Sequence, residues 1–160
     1  MKLRPRTLWR VPVYCILSGF VSYYLTVYVG GFFFRSEDSI DPLRSAVFSG
    51  VLFLIILLAG GLWFFRSMTK AEIAVSAGIA SAIFLLICLA QLYLPGFPIT
   101  LSFRLAIIQN WISTIASLFH KLTHRFTLSV ILSNFTPLLY IPFGRKPKRH
   151  RRKRPEIKFQ

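Results

Sequence analysis

The chain has 160 residues, 54% hydrophobic and 16% charged, with mean hydropathy +0.58; an ordinary soluble domain carries about a quarter charged residues. Its 20 Lys+Arg against 5 Asp+Glu give +15, and the charges fall in short islands between apolar runs, the pattern of an integral membrane protein. Cys15 and Cys88 both lie inside apolar runs, where they read as small buried residues; a disulfide between them requires helices facing each other at one depth.

Lys2, Arg4, Arg6 and Arg10 precede the apolar run Val11–Phe34. That run is too long for a signal-peptide core and no small-x-small cleavage site follows, so a retained signal-anchor helix is expected. Ser18, Ser22 and Thr26 recur at four-residue spacing and form a small, weakly polar stripe suited to close helix packing. The loop from Arg35 to Arg44 holds Glu37, Asp38 and Asp41. Their spacing is not that of a calcium loop, and Asp41-Pro42 reads as a helix N-cap with proline at the first helical position.

The chain is organised around the helical hairpin that follows. Ser45–Phe65 and Ile73–Leu94 are free of charge and each exceeds the roughly 20 residues of a bilayer-spanning helix. Arg66 and Lys70 in the turn between them predict a cytoplasmic turn, and Thr69 with Glu72 forms a capping-box pattern. Ser49 and Gly50 in the first run, and Ala74, Gly78 and Ala82 in the second, make small-xxx-small patterns. These predict that the two spans pack on each other and that Gly78→Leu disrupts the fold.

Pro95-Gly96-Phe97-Pro98 ends that span. An amphipathic helix is expected over about 99–124, with Leu101, Leu105, Ile108, Ile112, Ile115, Phe119, Leu122 and Phe126 on one seam. Ser102, Gln109, Asn110, Ser113, Ser117, His120 and His124 fall opposite. Such a helix either lies in the interface, apolar face down, or crosses and turns its polar face to a path or partner. Charge counting favours crossing slightly; amphipathicity, and the length of the last apolar run Phe126–Phe143, favour the interface. The reading adopted is an all-α integral membrane protein with its N- and C-termini inside. Four transmembrane helices (about 11–34, 45–65, 73–94 and 126–143) and one amphipathic interfacial helix make a membrane domain over 1–144.

Residues 145–160 form a basic cytoplasmic tail expected to be disordered alone. Arg145, Lys146, Lys148, Arg149, Arg151, Arg152, Lys153 and Arg154 place eight cations in ten residues. The tail is expected to bind anionic phospholipid, to which each cation near a membrane contributes about 1 kcal/mol of attraction, or an acidic partner. Nucleic acid is not expected as a partner, because no aromatic residues interleave the cations for base stacking.

No HExxH or Gly-x-Ser-x-Gly pattern occurs, and no Asp, Glu, Lys or Arg lies deep in the first three spans. His120 and His124 have no third ligand nearby in sequence, and Gly30-Gly31 and Gly60-Gly61 sit in apolar surroundings unlike a phosphate loop. The expectation is a non-catalytic multi-pass protein with no metal or cofactor, in a plasma membrane (a bacterial inner membrane by default). It would act as an accessory or assembly partner of a membrane complex. In layout alone, short-looped spans followed by a strongly basic tail, the chain is similar to phage holins. That likeness implies a second expectation: a homo-oligomeric permeation protein with Gln109, Asn110, Ser113 and Ser117 along the path.

Overall fold

The computed structural model describes residues 5–30, 35–36, 39–40 and 42–145. Glu37, Asp38 and Asp41 of the acidic loop, residues 31–34 of the first expected span, and the tail residues Lys146, Lys148, Arg149, Arg151, Arg152, Lys153 and Arg154 lie outside them.

Apart from a two-residue antiparallel pairing of β1 (Arg35–Ser36) with β2 (Ser39–Ile40), every described element is helical. In chain order these are α1 (Pro5–Leu8), α2 (Arg10–Tyr28), α3 (Pro42–Ala59), α4 (Lys70–Tyr93), α5 (Ile99–Thr123) and α6 (Phe126–Ser133). A π-helical turn (Gly60–Phe64) extends α3, and a 3-10 segment (Thr136–Phe143) follows α6. Four stretches are long and apolar enough to cross a membrane: Arg10–Tyr28, Arg44–Phe64, Lys70–Tyr93 and Phe126–Phe143. Their outward faces carry exposed Leu17, Leu54, Ile55, Leu58 and Leu86, a surface compatible with a multi-pass membrane protein.

Local signals in the sequence account for the element ends. Pro42 opens α3, where its missing N–H costs nothing. Thr69 and Glu72 form the full capping box of α4: the Thr69 N–H donates to Glu72 Oε2 at 2.9 Å and the Glu72 N–H to Thr69 Oγ1 at 3.3 Å. Gly96, at φ +81°, supplies the left-handed position of the turn that ends α4. Prolines 137 and 142 keep the last run from continuing as one α-helix. The carbonyls around that break are taken by side chains, with Ser133 Oγ donating to Val130 O at 2.7 Å and Asn134 Nδ2 to the same oxygen at 2.8 Å.

The packing departs from the sequence reading in two places. Spans two and three do not pack along each other; α4 lies along the 3-10 segment and α2. A Cβ added to Gly50 or Gly78 meets no atom within 4 Å, and Ala82 is exposed. The buried face of α4 is instead Ile73, Ser76, Ala77, Ala80, Ser81, Phe84 and Cys88. Ala74 and Gly78 are beside it and only half-buried, as is Ser49 on α3. That face is itself rich in small residues, Ser76, Ala77, Ala80 and Ser81, with Ile73 and Phe84 as its large ones, so close packing on α4 uses small residues beside the stripe that the sequence singled out.

The second departure is α5. Its apolar seam was expected to lie against lipid, yet Ile112 is buried, and Ile108 and Ile115 pack against the core. Gly19 lets α2 approach so closely that a Cβ there would run into the Ile108 backbone. Asn110 Nδ2 donates to Ser22 Oγ at 3.1 Å, Gln109 Nε2 to Phe84 O at 3.3 Å, and Trp111 stacks on Phe53 with ring centroids 5.9 Å apart. Gly19, Phe53 and Phe84 all stand near the middle of their helices, so the centre of α5 lies at mid-height of the bundle. An amphipathic helix is accommodated there because its amides find partners on α2 and α4.

The core is a run of rings. Phe65 and Tyr140 lie 4.8 Å apart, Tyr14 meets both, and Trp111 links Tyr140 to Phe53. Such pairs add about 0.5–1.5 kcal/mol each beyond area burial. The rings fill the space between α2, α3, α5 and the 3-10 segment.

Candidate partner cleft and basic end

Two places in this fold gather polar chemistry. The first is a cleft of about 440 Å³ between α5 and α6. From α5 it is lined by Gln109, Asn110, Ser113, Ser117 and His120, and from α6 and its end by Ser133 and Asn134; Ala106, Ile112, Ala116, Phe126 and Val130 form its apolar walls. Five of the seven residues read as the polar face of α5 are thus brought together in one concave surface; Ser102 and His124 are not among its lining. Its hydroxyls are held on their own helix: Ser113 Oγ donates to Asn110 O at 2.5 Å and Ser117 Oγ to Thr114 O at 2.8 Å. This back-bonding satisfies serine in an apolar setting and leaves its lone pairs outward. His120 stands edge-on to Phe126, with centroids 5.9 Å apart, at the end of the cleft. His124 does not join it on a helical face: it ends α5 in the left-handed conformation, at φ 54°, with its N–H donating to His120 O. Among the described residues no group of three His, Cys, Asp or Glu is placed to hold a metal.

The second place is the end of the bundle at the turn between α3 and α4. Arg10 Nη1 donates to Ser67 Oγ at 2.9 Å, which brings the start of α2 to this turn. Ser76 anchors the same region, accepting from the Val11 N–H and donating to Leu8 O. The 3-10 segment returns here as well. The Arg145 N–H donates to Met68 O at 3.0 Å, and the Lys70 N–H donates to Arg145 O at 3.2 Å, so the chain before the basic tail is clamped to the turn. Gly144 is required for that approach, since a Cβ would lie 2.6 Å from Lys70 Cα. Gly60 and Gly61 likewise leave room for the rings of Tyr14, Tyr140 and Phe143. Arg10, Arg66, Lys70 and Arg145 are therefore gathered at one end, with Trp9 and Trp63 exposed beside them. Cations with tryptophan at a helix boundary are the composition of a membrane–water interface.

Of the sequence stripe Ser18, Ser22 and Thr26, the first two are buried, Ser22 against Asn110 of α5, while Thr26 is half-buried with its hydroxyl donating to Ser22 O at 2.8 Å. Gly19, in the middle of that stripe, makes the closest contact there and was not singled out; its signal is the Cys15-x-x-x-Gly19 spacing. Trp111 and Tyr140 gave no sequence signal, since an isolated aromatic reads equally as core or as interfacial belt. Among the described residues, Trp111 Nε1, Tyr140 Oη and Ser81 Oγ are buried without a hydrogen-bond partner. Cys15 and Cys88 are free and buried.

No family model, curated protein or solved structure matches this chain.

Proposed function

We propose that the protein is a non-catalytic, multi-pass plasma-membrane protein that serves as an accessory or assembly partner of a membrane complex. In this reading the cleft between α5 and α6 receives a transmembrane helix of the partner. The basic end and the tail from Arg145 to Arg154 hold anionic phospholipid on the inner surface. The observation that carries the reading is the cleft itself: apolar walls, mid-height position, and a row of amide and hydroxyl groups. Helices that associate in lipid use this combination of close van der Waals contact and a few interhelical hydrogen bonds.

A second reading, a homo-oligomeric permeation protein, draws on the same polar row of Gln109, Asn110, Ser113 and Ser117. The filled aromatic core leaves no room for a path along the axis of one subunit, so a path would have to run between copies. Gentle purification from native membranes, with mass determination of the intact complex, separates the two. A foreign membrane protein bound in fixed ratio, and lost from a Ser117→Trp variant that still folds, supports the accessory reading. A ring of identical subunits overturns it in favour of permeation.

A further inference from the structure

We infer that the basic end contains a built site for the phosphodiester headgroup of an anionic phospholipid, formed by Arg66 and Arg145 over Trp63, Leu62 and Phe143. The proposal rests on reading this end as the inner membrane surface. A pocket of about 280 Å³ lies here, lined by Gly61, Leu62, Trp63, Arg66, Phe143 and Arg145.

Both arginines come from fixed backbone. Arg66 follows the π-helical turn, which closes with the Phe65 N–H on Gly60 O at 2.9 Å, and Arg145 is tied to the turn through its own N–H and C=O. Two guanidinium forks lining one pocket suit phosphate oxygens, which Arg binds in two-pronged fashion. Glu72, the one carboxylate among the described residues, is 7% exposed with Oε2 turned to the Thr69 N–H and hydroxyl. Arg10 and Lys70, held at the same turn, add to the positive field.

The rest of the pocket is apolar. Trp63 is 83% exposed and Leu62 55% exposed, three and four positions before Arg66 in the chain. A cationic rim above an apolar wall matches a molecule with a phosphate at one end and acyl chains at the other. Inorganic phosphate would engage the rim alone. The site is also distinct from the tail: it belongs to the folded body, with Arg145 the one residue common to both.

The test uses the full chain in mixed micelles of phosphatidylglycerol and phosphatidylcholine, read by native mass spectrometry. Phosphatidylglycerol is expected to stay bound at energies that strip phosphatidylcholine. The double variant R66Q/R145Q is expected to lower its occupancy about tenfold. Trp63→Ala is expected to lower it severalfold while leaving the charge intact. A chain with the seven Lys/Arg from Lys146 to Arg154 changed to Gln is expected to keep it. Retention in the double variant with loss in the tail variant overturns the site and assigns adhesion to the tail. Equal retention of phosphatidylcholine, displacement by millimolar inorganic phosphate, or indifference to Trp63→Ala overturns lipid as the ligand. Arg66→Lys, which keeps the charge but not the fork, gives the answer if the double variant does not fold: undiminished binding overturns the assignment. These outcomes are independent of whether a partner occupies the cleft.

Discussion

At the end of the bundle where Gly144 and Arg145 meet residues 68–70, backbone touches backbone and even a methyl group has no room. Between α5 and α6 the helices stand apart around about 440 Å³, and serine hydroxyls turn back onto their own helices. The same contrast divides the glycines. Gly19, Gly60, Gly61 and Gly144 are pressed by neighbouring atoms, whereas Gly50 and Gly78 face open space. Small residues in an apolar helix therefore have two uses, and spacing alone does not tell them apart. A tight contact needs a partner that arrives at the right height, and that partner is set by the fold of the whole chain.

The largest expected effect comes from the α2–α5 contact. Gly19→Leu drives a side chain into the Ile108 backbone and should cost about 3 kcal/mol or more, read as loss of the thermal unfolding transition in detergent or a large fall in its midpoint. A midpoint within a degree of the parent would remove the contact from this account. Gly144→Ala should cost about 2 kcal/mol by prising the clamp apart. Hydrogen exchange checks it, with the Lys70 and Arg145 amides losing protection together while those of α5 keep theirs.

Within the ring cluster two tyrosines make a finer test. Tyr14 Oη donates to Ile56 O at 2.7 Å, so Tyr14→Phe should cost about 1 kcal/mol. Tyr140 Oη is buried with no partner, and Tyr140→Phe should be neutral or stabilising by about 1 kcal/mol, measured side by side by chemical unfolding. Equal losses in the two would mean that their hydroxyls are not in different settings. The smallest effect belongs to the open side: Gly78→Ala should gain about 0.5–1 kcal/mol from helix propensity alone. A clear loss would restore the small-residue stripe of α4 as a packing face.

What the sequence made legible was local. The capping box joins Thr69 and Glu72, three positions apart, and the start of α3 at Pro42 follows from one proline; the four long apolar stretches follow from composition over some twenty neighbours. The failures were all long-range. Asn110 meets Ser22 across 88 positions, and nothing in either segment names the other. The amphipathic pattern of α5 is the same whether its seam meets lipid or a protein core, since both are apolar. Where the outward faces of a bundle are as apolar as its core, hydrophobicity separates inside from outside weakly, so the buried face of α4 was not marked by polarity. The cleft was half-legible: its α5 wall was read as a polar face, but its α6 wall, with Ser133 and Asn134, depended on how the chain folds back after His124.

The clamp between the turn and Arg145 also sets an order of events during synthesis. Met68 and Lys70 leave the ribosome about 75 residues before Arg145, an interval of roughly 4–15 s at about 5–20 residues per second. Over that interval the Met68 carbonyl and the Lys70 amide have no native partner, and α4 lacks the 3-10 segment it lies along. The clamp can close only after Arg145 has been made, so a turn in the middle of the chain is completed by residues made about 75 positions later.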